Sequence, residues 1–82
     1  MILKLYNLKG KEGEIQEDFV GRFLTKDALR LFIVTDLLKK NRQIEEVFYN
    51  PINEHRQLVT VYSINEHNQR HITDYLLLTI ID

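Results

Sequence analysis

The amino-acid sequence predicts a single small α+β domain spanning residues 1–82, of order β-β-α-β-β-β, in which one helix packs on a face of an antiparallel sheet. Three observations predict it. One segment near the middle carries the capping and end-charge signals of a helix. The segments on either side alternate with a period of two. The run Tyr75-Leu76-Leu77-Leu78-Thr79-Ile80-Ile81 has no charge and is apolar at both parities, as a strand buried on two faces would be.

The elements follow in order. Residues 2–8 are strand-like, with Ile2, Leu3, Leu5, Tyr6 and Leu8 around Lys4 and Asn7. Lys9 to Gly13 reads as a turn, because Gly10 and Gly13 supply the backbone freedom a reversal needs. From Glu14 to Leu24 alternation places Ile15, Phe19, Gly21 and Phe23 on one face and Gln16, Asp18 and Arg22 on the other. Ile15, Phe19 and Phe23 are also four apart, which fits a helix and gives the alternative order β-α-α-β-β-β. The strand is preferred, since it forms a simple hairpin with the first one.

Thr25 is placed to cap a helix running from about Lys26 to Lys40. Asp27 complements its positive end, and Lys39, Lys40 and Arg42 its negative end. Its apolar residues fall on two sides: Ala28, Leu31, Phe32 and Leu38 on one, Leu29, Ile33 and Leu37 on the other. Ile44 to Tyr49 is a strand ended by Asn50-Pro51, and Gln57 to Ile64 is the strongest strand, rich in β-branched and aromatic residues. Asn65 to Arg70 is a polar turn before a last strand from about His71 to Ile81. A terminal helix starting near Thr73 is disfavoured by the β-branched Thr79, Ile80 and Ile81. The tetrapeptide Ile-Asn-Glu-His occurs at 52–55 and again at 64–67. Two copies are too few for a repeat protein, so both read as polar turns at opposite ends of a meander.

Composition bounds function. The 11 Lys and Arg against 12 Asp and Glu give a net charge of −1, which leaves no global field to steer the chain onto nucleic acid or an anionic membrane. There is no cysteine, hence no disulfide framework, thiolate nucleophile or cysteine-rich zinc site. The amino terminus lacks the pattern of a signal peptide and no apolar run approaches the ~18 residues of a membrane span, so the expected location is the cytoplasm.

No catalytic, cofactor-binding or metal-ligating set is assigned. His67 and His71 are four apart, but two imidazoles are too few for a specific zinc site, and His55 falls at the other end of the sheet. Ser63 is the only serine and sits in a strand without a nucleophile elbow. Gly10, Gly13 and Gly21 have the wrong spacing for a phosphate-binding loop.

The expected function is therefore a non-enzymatic interaction protein, a small regulator or inhibitor that forms a homodimer and binds another macromolecule. One helix covers one sheet face, which leaves apolar surface over. Tyr75, Leu77 and Ile81, with Leu29, Ile33 and Leu37, are the expected interface. The alternative is a nucleic-acid-binding accessory protein or small ribonuclease, using Lys39, Lys40 and Arg42 as cations, tyrosines as stacking faces, and Arg56, Arg70 and a histidine for cleavage.

Overall fold

The computed structural model describes residues 1–11 and 14–80. The order is the expected one: β1 (Ile2–Lys11), β2 (Glu14–Phe23), α1 (Lys26–Lys39), β3 (Arg42–Pro51), β4 (Arg56–Asn65) and β5 (Arg70–Ile80). The strands form one antiparallel five-stranded sheet in the order β2-β1-β5-β4-β3. Residues 14–23 are a strand, so the order with two helices does not apply. The expected turn at Lys9–Gly13 is shorter than the glycines suggest. Lys9, Gly10 and Lys11 stay in the ladder opposite Gln16, Ile15 and Glu14, because continued pairing satisfies backbone groups that a wider turn would leave to water. Glu12 and Gly13 lie outside the described residues.

Because β2 and β3 are the two sheet edges, the helix that joins them must cross a whole face. Its start is fixed by Thr25, whose Oγ1 accepts from the Ala28 backbone N–H at 3.1 Å. Its end is fixed by Asn41, which adopts the left-handed φ of 57° that asparagine tolerates better than most residues. Lys40 N–H and Asn41 N–H donate back to Leu37 O and Leu38 O.

Of the helix's two apolar sides, Leu29, Ile33 and Leu37 face the sheet and are buried. They meet Leu3 and Leu5 of β1, Val59 and Val61 of β4, and Tyr75 and Leu77 of β5. Val20, Phe23, Ile44, Val47 and Tyr49 pack around this core. Each of these aliphatic side chains contributes about 1.5–3 kcal/mol by leaving water.

Two bulges decide which residues face the helix. In β2, Gly21 pairs with Leu5 but Phe19 pairs with Tyr6, so Val20 is an extra residue and the alternation reverses there. Phe19 therefore lies on the opposite face from Gly21 and Phe23, contrary to the expectation from simple alternation. Gly21 has its own reason to be glycine, since a Cβ there would meet the Phe23 ring at 3.3 Å. The second bulge falls in β3 between Ile44 and Glu46, leaving Glu45 as the extra residue.

The repeated tetrapeptide occupies the two ends of β4, as expected. In both copies the asparagine side chain makes the same turn: Asn53 Oδ1 accepts from the His55 N–H, and Asn65 Oδ1 from the His67 N–H, each at 2.9 Å. Among the described residues no helix is long and apolar enough to cross a membrane.

Candidate interaction surface

The residues expected at an interface are instead the core. Leu29, Ile33, Leu37, Tyr75 and Leu77 are all at most 3% exposed. Ile81 lies outside the described residues. One helix covers one face of β5, and the other face carries Ile72 and Leu78 beside Asp74. The parity was the error. The odd positions Tyr75 and Leu77 share a face with Val59 and Val61, whose short branched side chains let the helix approach, whereas Leu58 and Tyr62 project from the other side. Burial in that dry environment raises the Tyr75 phenol above its usual pKa, and burial also raises that of Tyr49, which shares the helix side.

The face away from the helix is therefore the large uncovered surface, and cross-strand register builds it in rows. One row runs Arg22, Lys4, Leu78, Arg56 across β2, β1, β5 and β4. The next contains Phe19, Tyr6 and Leu58, with Leu76 between the last two in register. Beyond it, Glu17 lies opposite Leu8 on β2 and β1, and Asp74, Thr60 and Phe48 are paired across β5, β4 and β3. A further row holds Ile72, Tyr62 and Glu46. Phe19, Phe48 and Ile72 are 54%, 43% and 61% exposed. They stand on three different strands of one face, β2, β3 and β5, with Tyr6, Leu58 and Tyr62 in the columns between them. Exposed apolar surface gathered on one face is a mark of a binding site.

Aromatic pairs stiffen it. Tyr6 and Phe19 meet edge to face at 5.5 Å, as do Phe48 and Tyr62 at the other side of the sheet. Arg70 lies 5.7 Å from the Tyr62 ring and donates from Nε to Glu45 Oε1 at 3.1 Å. That hydrogen bond holds its guanidinium even more firmly protonated than usual. Glu45, Glu46, Phe48, Tyr62 and Arg70 line an open cleft of ≈ 560 Å³. The outside of the helix is apolar too, with Leu31 and Leu38 67% and 59% exposed, and Leu24, just before the cap, is 75% exposed.

Of the residues of the nucleic-acid alternative, Arg70 lies against a tyrosine ring, that of Tyr62, but is bonded to Glu45, while Lys39, Lys40 and Arg42 are gathered at the end of the helix. Lys40 Nζ is 3.2 Å from Asp36 Oδ2, one turn earlier on the helix, and Lys39 and Arg42 sit at the same helix end. Of the four tyrosines, Tyr6 and Tyr62 are on the open face while Tyr49 and Tyr75 are on the other. The histidines are also dispersed. His67 Nε2 is 3.7 Å from Glu66 Oε1, and His71 Nε2 is 3.2 Å from Asn65 Nδ2. Among the described residues no group of three histidine or carboxylate side chains is arranged to hold a metal.

Ser63 is fully buried, and its Oγ has no hydrogen-bond partner among the described residues. It shares the helix side of β4 with Val59 and Val61 and is packed there. Ser63→Ala removes an unpaired polar atom whose burial costs about 1–3 kcal/mol. We expect urea denaturation to find this variant as stable as the wild type or more stable by about 1 kcal/mol. A loss larger than that would reveal a bond the hydroxyl makes.

Phe19, Phe48, Ile72 and the charged rows were not singled out from sequence. The β2 bulge hid Phe19, but the alternation of Leu58 and Tyr62 against Val59 and Val61 was a usable signal. Comparison of the chain with protein-family models, curated proteins and solved structures finds no match in any of the three.

Proposed function

We propose that this protein is a non-enzymatic interaction module, acting in the cytoplasm as a small regulator or inhibitor, that binds a protein partner through the open face of its sheet. The observation that carries this reading is the exposure of Phe19, Phe48 and Ile72 on the face opposite the helix. A small domain gains from covering such a face, because each apolar side chain removed from water contributes about 1.5–3 kcal/mol when fully buried.

Protein is favoured over nucleic acid by charge. Arg22 and Lys4 lie beside the Phe19–Tyr6 pair, with Arg56 further along the same row, which taken alone would suit a phosphate backbone and a base. Glu17, Asp74 and Glu46 share the same face, however, and would repel a phosphate chain laid across it. A surface that mixes both signs with aromatic rings suits another protein.

The test is a photo-crosslinking residue placed at Phe19, at Ile72 or, as a control outside the face, at Leu31, in cells that make the protein natively. Adducts from the first two positions that protease removes and nuclease does not are the expected result. Nuclease-sensitive adducts, or adducts from Leu31 alone, would overturn this reading.

A further inference from the structure

Apart from Arg70, which is neutralised by its own bond to Glu45, the charges on the open face are segregated, not scattered. Three cations form one row, Arg22, Lys4 and Arg56. Two rows further along the strands lie Glu17 and Asp74, with the apolar row of Phe19, Tyr6 and Leu58 between. Among the described residues none of these five charges is ion-paired within its own chain. A face with cations on one side of an apolar row and carboxylates on the other is complementary to itself after a half-turn about that row.

We propose that the open face takes a second copy of this chain, related by a two-fold axis running across the strands along the Phe19–Tyr6–Leu58 row. This rests on the reading of that face as a protein-binding surface and names its occupant. The half-turn keeps the strand columns in place and exchanges the rows. Arg22 of each copy comes over Glu17 of the other. Lys4 and Arg56 come over the columns on either side of Asp74. The apolar row meets itself, and the Ile72–Tyr62 row lies over the row of the other copy that contains Ile2. Lysine and arginine side chains are long enough to cross the spacing of about 10 Å between stacked sheets.

The size also fits. Five strands about 4.8 Å apart and some nine residues at about 3.4 Å each give a face of roughly 700 Å², close to the approximately 800 Å² that each partner contributes to a standard-size interface. The contact is isologous and closes at two copies, because the same patch is used by both. Both helices, with their exposed Leu31 and Leu38, are then left on the outside of the dimer.

The test uses two charge-reversed chains. One carries Lys4→Glu, Arg22→Glu and Arg56→Glu, the other Glu17→Lys and Asp74→Lys. In a homodimer of either, like charges face each other, whereas in the mixed pair both contacts are attractive. Sedimentation velocity, with circular dichroism to confirm folding, should find the wild type dimeric. Each variant alone should associate at least 100-fold more weakly, and the equimolar mixture should recover the dimer. A monomeric wild type overturns the pairing, and so does a mixture of folded variants that stays monomeric. Variants that each remain dimeric overturn it too. None of these three outcomes touches the crosslinking result at Phe19 and Ile72, which tests the binding face independently of its occupant. If a triple variant fails to fold, the single variants Arg22→Glu and Glu17→Lys, both at exposed positions, make the same mixing test.

Discussion

Leu77→Glu leaves the chain without a cooperative fold at 25 °C. Leu77 is 1% exposed, in register with Leu5 on β1 and Gln57 on β4, beneath the helix. Replacing it removes aliphatic packing worth about 2–5 kcal/mol when truncated to alanine. It also puts an unpaired carboxylate where burial costs several kcal/mol more, or forces it to stay protonated. A domain of 82 residues has a total stability of roughly 4–12 kcal/mol. The loss therefore takes most or all of it. Far-ultraviolet circular dichroism in a urea titration is expected to show no folded baseline for this variant. A folded Leu77→Glu chain that is simply monomeric would place Leu77 at an interface and contradict the core described above.

The second large effect is on association and leaves the fold alone. Phe19→Lys combined with Ile72→Lys changes two side chains that are more than half exposed, 54% and 61%, on the open face. The fold loses about 0.5–1.5 kcal/mol, chiefly the Tyr6–Phe19 edge-to-face contact. Association should weaken by about 100-fold or more, because well-buried anchors at an interface are worth about 2 kcal/mol or more each. Phe19 lies on the proposed axis, so two lysines would face each other there. Equilibrium unfolding and sedimentation velocity on the same samples check both halves. Unchanged association would move the interface off this face.

The contrast between these two variants shows where sequence reasoning succeeded and where it stopped. The order of elements was legible because its signals are local. Thr25 caps the helix through Ala28 N–H, and Leu58 to Tyr62 alternates as a strand does. The two apolar sides of the helix were legible for the same reason, from residue spacing alone. Which side faces the sheet was not, since Leu29, Ile33 and Leu37 are no more apolar than Leu31, Phe32 and Leu38. That choice depends on the crossing from one sheet edge to the other, which is a property of strand order. The β2 bulge was equally hidden, because Val20 looks like an ordinary strand residue until its neighbours are paired. The charged rows needed the register of four strands, since Arg22, Lys4 and Arg56 are far apart in the chain. The surface left open after the helix was placed could therefore be anticipated in kind, but its residues had to be read from the pairing.

The central claim is that the face opposite the helix is covered by a second copy of the chain. Sedimentation equilibrium of the wild type over a range of micromolar concentrations tests it most directly. The account predicts a mass that rises to twice that of one chain and goes no higher, because a two-fold contact closes at two copies. A mass of one chain at every concentration, or one that climbs steadily past two, would contradict it.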